Sequence, residues 1–283
     1  MEAFYTLKSF KNKIDSINKE DSIAFVPTMG ALHKGHLSLI KQAKKENDIV
    51  VVSIFVNPTQ FDNKEDLVNY PITLENDLKL LKKVKCDVVL IPTVKEIYTN
   101  KVTSQHFEFG GIENEMEGKF REGHFDGVGT IVKRLFEIVT PHKAYFGEKD
   151  FQQLQIIKKL VKIEKLPIKI VGCKIFREKD GLAMSSRNAR LTIECRNAAP
   201  FIYKTLKKVK KKFKKMNPIT LNDILTIEKW VEKKFKKQSD LDLEYFTIAN
   251  EKTLKNSTDN QHKPRAFIAV FAGEIRLIDN IAL

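Results

Sequence analysis

The sequence predicts an α/β protein, a doubly wound parallel sheet followed by a smaller α+β domain. Three observations carry this. Residues 49–56, Ile-Val-Val-Val-Ser-Ile-Phe-Val, are a nearly unbroken β-branched run, the composition of a strand buried on both faces. Strand-like and helix-like segments alternate up to about residue 175. Beyond it the alternation gives way to a Ser/Arg/Asn-rich loop, two Lys-rich helical stretches and short terminal strands.

In order, residues 23–29 read as a buried strand ending in a Gly turn, and 36–47 as a helix with Leu37, Ile40 and Ala43 at helical spacing. The 49–56 strand follows. Thr73 starts a helix to about Lys83, with Leu74, Leu78 and Leu81 as its apolar stripe. Asp87–Ile91 is a strand closed by Pro92. Residues 128–139 are a helix, 144–146 a short strand, 151–164 a helix and 168–172 a strand. In the second part, helices are expected near 195–215 and 220–237. Short strands are expected at 245–248, 266–271 and 276–278, the last two flanking a hairpin turn at Ala272-Gly273-Glu274.

Composition excludes several classes. The 283 residues are 42% hydrophobic and 30% charged, which is globular composition. The longest apolar run is far shorter than the roughly 20 residues a membrane helix needs, so no membrane span is expected. Residues 1–13 mix charge throughout, unlike a signal peptide. Cys86, Cys173 and Cys195 are odd in number and far apart, which suits free thiols in a reducing cytoplasm. The net charge of +14 is concentrated in residues 204–237, which hold 13 Lys, no Arg and three acids. Without interleaved Arg and with few aromatics, a solvated helix face is favoured there over nucleic-acid binding.

Four motifs can carry chemistry. The first, Pro27-Thr-Met29-Gly30-Ala31-Leu32-His33-Lys34-Gly35-His36, lies where the first strand enters its helix. Ligands bind beyond the carboxyl ends of strands in such sheets, and a helix N-terminus offers free N–H groups to an anion. The second, Asn57-Pro-Thr-Gln60, ends the second strand and supplies amide donors and acceptors. The third, Gly147-Glu148-Lys149-Asp150-Phe-Gln-Gln153, opens a helix. A Lys there opposes the helix dipole unless it meets a phosphate, and a capping Asp150 beside a solvated Lys149 competes as a reading. The fourth runs from Arg177 to Asn188 and includes Met184-Ser185-Ser186-Arg187. Hydroxyls and a guanidinium fork suit a polyphosphate, with a polar linker as the alternative. Gly127-Val-Gly129 lacks the third glycine and preceding strand of a dinucleotide fingerprint. His106, His124 and His142 are scattered, with His124 a candidate for the pocket lining. The carboxylates of Glu113–Glu117 are expected on a solvated face.

Together these motifs, in this order and spacing, resemble the pantothenate synthetase (pantoate–β-alanine ligase) family from Phe25 to about Leu191. An H-x-G-H turn alone indicates only the nucleotidyltransferase superfamily, and the full set is far more specific. The resemblance implies a Rossmann-like domain over residues 1–175 that binds nucleotide and pantoate, and a smaller lid domain over 176–283. It implies ATP-dependent condensation of (R)-pantoate with β-alanine through a pantoyl adenylate, with Mg²⁺. It further implies a cytoplasmic homodimer with no nucleic acid or membrane partner.

Carried over by position, Met29, Gly30, Ala31, Leu32, His33, Lys34, Gly35 and His36 would bind ATP, with His36 acting on the transferring phosphate. Gln60, Gln153 and Asn57 would bind pantoate or β-alanine. Gly147, Glu148, Lys149 and Asp150 would bind nucleotide, with Lys149 on phosphate. Phe176 would meet adenine through its backbone, and Met184, Ser185, Ser186 and Arg187 would close over the phosphates. No metal ligand is assigned, and Asp77 is a candidate only through water. Residues 62–72 would form a mobile flap. There Ile72 stands where the family usually has Arg after the proline. Another adenylyltransferase of the same superfamily is the alternative reading, with a basic nucleic-acid-binding protein the non-enzyme one.

Overall fold

The computed structural model describes residues 1–98, 101–216, 219–256 and 263–283. Contacts divide the chain into two units. One comprises Met1–Glu148 and Gln153–Lys174, the other Lys149–Gln152 and Ile175–Leu283.

The first unit is built on six parallel strands: β1 (Glu2–Phe4), β2 (Ile23–Thr28), β3 (Ile49–Ile54), β4 (Val88–Leu90), β5 (Lys143–Gly147) and β6 (Lys169–Cys173). Their order across the sheet is β1-β4-β3-β2-β5-β6. The helices are α1 (Leu7–Asp15), α2 (Lys34–Glu46), α3 (Lys64–Val68), α4 (Leu74–Lys83), α5 (Val94–Ile97), α6 (Glu117–Phe120), α7 (His124–Val139) and α8 (Phe151–Ile163). Both faces of the sheet are covered, and the alternation of side chains along β2 shows how. Ala24 and Val26 pack with Leu39, Ile40 and Ala43 of α2 and Leu81 of α4. Phe25 points the other way, onto Phe136 of α7 at 6.2 Å between ring centroids. Val50, Val51 and Val52 of β3 are fully buried, which is why that strand shows no polar alternation. The doubly wound parallel sheet is therefore as the sequence predicts.

Three features were not anticipated. β1 is three residues long, and neither it nor α1 appears in the sequence reading. Helix α7 starts at His124, four residues before the expected start, because Gly123 in the left-handed region (φ 72°) turns the chain into it. The Glu113–Glu117 face is not simply solvated. Glu117 is buried, and Glu113 Oε1 accepts from Phe109 N at 3.0 Å.

The second unit has an antiparallel sheet of β7 (Asp242–Asn250), β8 (Pro264–Ala272) and β9 (Ile275–Ala282), in that order. β8 and β9 are joined through Gly273 and Glu274, the expected hairpin, with Gly273 at φ 59°. β7 is longer than the expected 245–248 and carries a register shift between Leu243 and Tyr245. The expected single helix at 195–215 is two, α9 (Ile193–Ala198) and α10 (Phe201–Phe213). Pro200 separates them, since it has no N–H to continue a helix and favours the start of the next. α10 and α11 (Leu221–Phe235) turn Ile202, Leu206, Val209, Ile224, Ile227 and Val231 into a core shared with Ile248, Ile268 and Val270. Most of the lysines of 204–237 are exposed, the solvated face that composition favours. Residues 217 and 218 of that stretch lie outside the described residues.

Candidate active site

Strands β3, β2 and β5 are neighbours, so the segments leaving their carboxyl ends lie side by side. The chain leaves β2 toward β3 on one side, while β5 and β6 occupy the other. The crevice between β2 and β5 is therefore a topological switch point, the place where such sheets bind ligands.

The turn after β2 is held tightly. Gly30 (φ 81°) and Ala31 (φ 47°) are both left-handed, and a Cβ on Gly30 would lie 3.1 Å from Asp77 Oδ2 and from Ile54. Asp77, in the first turn of α4 and 1% exposed, accepts from Ala31 N (2.9 Å), Leu32 N (2.8 Å) and the Thr73 hydroxyl (3.0 Å). The Thr28 hydroxyl donates to Ser53 O at 2.7 Å and accepts from Gly30 N at 3.2 Å, tying the turn to β3. Asp77 therefore acts on the backbone of the motif, a role that the sequence reading did not give it.

His33 caps α2. Its Nδ1 accepts from Gly35 N at 3.1 Å, and His36 Nδ1 accepts from His33 N at 3.3 Å. The rings stack with centroids 4.1 Å apart. A neutral imidazole that accepts at Nδ1 carries its proton on Nε2. Both histidines are thereby set as Nε2–H donors at the start of a helix whose first turn has no acid to compensate the dipole. Met29 is half-buried, Leu32 is buried, and Lys34 opens the helix exposed.

At the end of β3, residues 58–60 form one 3₁₀ turn. Asn57 is 1% exposed. Its Nδ2 donates to Gly127 O (3.1 Å), and its Oδ1 accepts from Tyr98 OH (2.6 Å) and Thr59 Oγ1 (3.2 Å). Asn57 is thus committed to the scaffold behind the turn. Gln60 instead sends its Nε2 to Met29 Sδ at 2.9 Å, which brings the first two motifs into contact. Helix α7 presses on this turn so closely that a Cβ on Gly127 would lie 2.2 Å from Thr59 O. Gly127 therefore serves packing, with no part in a dinucleotide fingerprint. Tyr98 was missed by the sequence reading. It lies 41 residues beyond Asn57, just after a four-residue helix, with no local pattern to mark it.

His124 is buried, with Nδ1 2.7 Å from Gln60 O and Nε2 3.1 Å from Arg121 Nη1. Burial first, then the neighbouring Arg121 guanidinium, push its pKa down to about 4. The other histidines lie apart. His106 pairs with Asp126 at the surface (2.9 Å), and His142 Nδ1 accepts from Ile23 N (2.9 Å) at the opposite end of β2.

Gly147 ends β5, Glu148 follows it, and Gln153 sits half-buried in the first turn of α8, all in the first unit. Lys149 and Asp150 belong to the second unit, where Lys149 Nζ is 3.3 Å from Asp150 Oδ1 and Lys149 O accepts from Asn280 Nδ2 at 2.9 Å. Lys149 is thus half-buried against Asp150 rather than solvated beside it. Phe176 is 41% exposed, and its carbonyl accepts from Met184 N at 3.0 Å. Ser185 Oγ caps the 3₁₀ turn Ser186–Arg190 by accepting from Arg187 N at 3.3 Å. Arg177 is locked on Asp279 (2.6 and 2.9 Å), so it is a structural member of the fourth motif. Among the described residues, no three His, Cys, Asp or Glu side chains are grouped so as to hold a metal ion. No helix among them is long and apolar enough to cross a membrane.

Comparison with known proteins identifies the family. A family model described as pantoate-beta-alanine ligase matches residues 2–282. The pantothenate synthetase of Flavobacterium psychrophilum is 55% identical over 273 residues, covering 94% of each chain. That of Phocaeicola vulgatus is 49% identical over 285 residues, covering 99% of each. Among solved structures, pantothenate synthetase from Thermus thermophilus superposes with a TM-score of 0.91 at 37% identity, covering 99% of both chains. A Francisella tularensis pantoate-beta-alanine ligase complexed with beta-gamma ATP and beta-alanine superposes at 0.81, also at 37% identity, over 100% of this chain and 97% of its own. With a matching family model over almost its whole length, the chain belongs to the pantoate-beta-alanine ligase family.

Proposed function

We propose that the chain joins (R)-pantoate to β-alanine in two half-reactions driven by ATP. The observation that carries the reading is the meeting of Met29–His36 and Asn57–Gln60 at adjacent strand ends, with Gln60 Nε2 on Met29 Sδ at 2.9 Å and Gly147 on the neighbouring β5. In the first half-reaction a pantoate carboxylate oxygen attacks the α-phosphorus, the bond to the β,γ-phosphates breaks, and pyrophosphate leaves. In the second, the β-alanine amine attacks the acyl carbon of pantoyl adenylate. AMP leaves and the amine loses a proton.

The residues suit these steps by chemistry. Charge builds on the phosphorus oxygens in the first transition state, where preplaced donors count most. The Nε2–H groups of His33 and His36 are such donors, fixed before substrate arrives. The side chain of Gln60, with that of Gln153, would take the pantoate hydroxyls and carboxylate, and Asn57 supports Gln60 from behind. Lys149, Ser185, Ser186 and Arg187 would supply charge and hydroxyl donors to the triphosphate, and Phe176 the adenine contact. In this reading residues 1–175 bind nucleotide and pantoate, and 176–283 act as a lid.

Mg²⁺ is proposed to arrive with ATP, held by phosphate oxygens and water. The chain's own donor set makes no cage for it among the described residues, and the Asp77 oxygens already accept three hydrogen bonds, so no step is routed through the ion. The reading also places the chain in the cytoplasm as a homodimer.

The test is ATP–pyrophosphate exchange with and without D-pantoate, beside a His36→Ala variant. Exchange is expected only with pantoate, and to fall about a hundredfold or more in the variant, as for loss of a preorganised transition-state donor. Folded protein that binds ATP but gives no pantoate-dependent exchange would overturn the reading.

A further inference from the structure

We infer that His124 and Arg121 are positioning residues that fix the backbone of Gln60, and so aim its side chain at the pantoate subsite. The inference rests on the proposed role of Gln60. Two donors converge on the Gln60 carbonyl, His124 Nδ1 at 2.7 Å and Arg121 Nη2 at 3.4 Å. The proton positions follow from chemistry. A guanidinium only donates, so Arg121 Nη1, 3.1 Å from His124 Nε2, makes that nitrogen the acceptor. The imidazole proton must then sit on Nδ1, where it donates to Gln60 O. The ring is buried and neutral, which keeps this tautomer.

Arg121 is itself held from two sides. Its Nε is 3.1 Å from Asp62 Oδ1, and its Nη1 is 3.8 Å from Glu117 Oε2. One network thus joins the first residues of the 62–72 segment, the short helix α6 and the start of α7, and all of it closes on one carbonyl. Such a partly buried charged network is a poor way to gain stability alone, because desolvation and solvent screening offset much of its attraction. Fixing one backbone unit beside a substrate-facing side chain gives it a use. Gly127, one turn along α7, serves the same end by letting the helix lie against Thr59.

Isosteric substitution separates positioning from simple packing. His124→Asn puts an amide N–H where Nδ1 stands, whereas His124→Gln puts its polar group where Nε2 stands. Steady-state kinetics of pantothenate formation should show a KM for pantoate near the wild-type value in His124→Asn. In His124→Gln it should rise about tenfold, the loss expected for one buried hydrogen bond. KM for ATP should move less than about twofold in both, and both should melt at similar temperatures. Equal rises in the two variants, or parallel changes in both KM values, would show a merely structural histidine and overturn the inference. So would lowered melting with an unchanged KM for pantoate. Gln60→Ala run alongside distinguishes the two levels. If it raises KM for pantoate while His124→Gln does not, the inference fails alone. If it leaves KM for pantoate unchanged, the substrate reading of Gln60 fails and takes the inference with it.

Discussion

Asp77 accepts two consecutive backbone N–H groups and one hydroxyl with a single carboxylate, and what it stabilises is a turn that the backbone would otherwise resist. Ala31 at φ 47° costs about 1–3 kcal/mol as a non-glycine residue in the left-handed region, and persists only because its surroundings over-determine it. Asp77→Ala orphans the N–H groups of Ala31 and Leu32, each worth about 1–3 kcal/mol when left without a partner. The expected result is a loss of about 2–4 kcal/mol in urea-induced unfolding, with a raised KM for ATP as the turn relaxes. Asp77→Asn keeps one acceptor oxygen and should lose less on both measures. If Asp77→Ala unfolds at the wild-type urea concentration, the carboxylate is not what holds the turn. In the sequence the residue stood out only as a candidate for holding Mg²⁺ through water, in the helix that follows Thr73. Its bonds to residues 45 and 46 positions earlier depend on how α4 packs beside β2, which no local pattern encodes.

Among the elements, α7 and the 58–60 turn fit with almost no clearance, so the turn's position depends on a hydrogen at Gly127. In Gly127→Ala the new methyl would lie 2.2 Å from Thr59 O and 2.8 Å from Gln60 Cα. Overpacking of this kind costs about 1–3 kcal/mol and is relieved by moving one element. The movable one is the turn, so KM for pantoate should rise along with the loss of stability measured by thermal melting. A variant that melts lower but binds pantoate normally would show that α7 yields instead. The elements legible in the sequence are those whose own residues decide them. β3 is marked by its unbroken β-branched run, the β8–β9 hairpin by Gly273, and α10 by the spacing of Leu206, Val209 and Phe213. β1 is legible only through its partner β4, since three residues have no period. The first turn of α7, His-Phe-Asp-Gly, contains poor helix formers and is fixed by contacts with residues 57–60. The motifs themselves were readable as chemistry, whereas the supporting roles of Asp77, Tyr98 and Arg121 became visible only once the strands had set side by side segments far apart in the chain.

At the scale of the whole molecule, the buried His124 makes folding depend on pH. In the unfolded chain the ring takes a proton near pH 6.5, and in the fold not until about pH 4. Between these values the unfolded state binds more protons than the native state, so stability is lost as pH falls from about 6.5 through 4 and levels off below that. The shift corresponds to about 3 kcal/mol in total, at about 1.4 kcal/mol per pH unit where the slope is steepest. Burial is the main cause, and the Arg121 guanidinium adds to it, while Glu117 and Asp62 act in the opposite direction. His106 works against the trend. Its hydrogen bond to Asp126 raises its pKa, so the folded chain holds that proton more firmly, but the pair is exposed and screened by solvent. Carboxylates also titrate across this range, so the comparison that isolates His124 is with His124→Asn, which has no proton to gain. Urea unfolding of both proteins at half-unit steps from about pH 4 to 7 should show the difference between the two curves changing by up to about 3 kcal/mol, wild type losing stability relative to the variant as pH falls. Parallel curves over the whole range would mean that His124 titrates alike in both states, and that its burial is released before the chain unfolds.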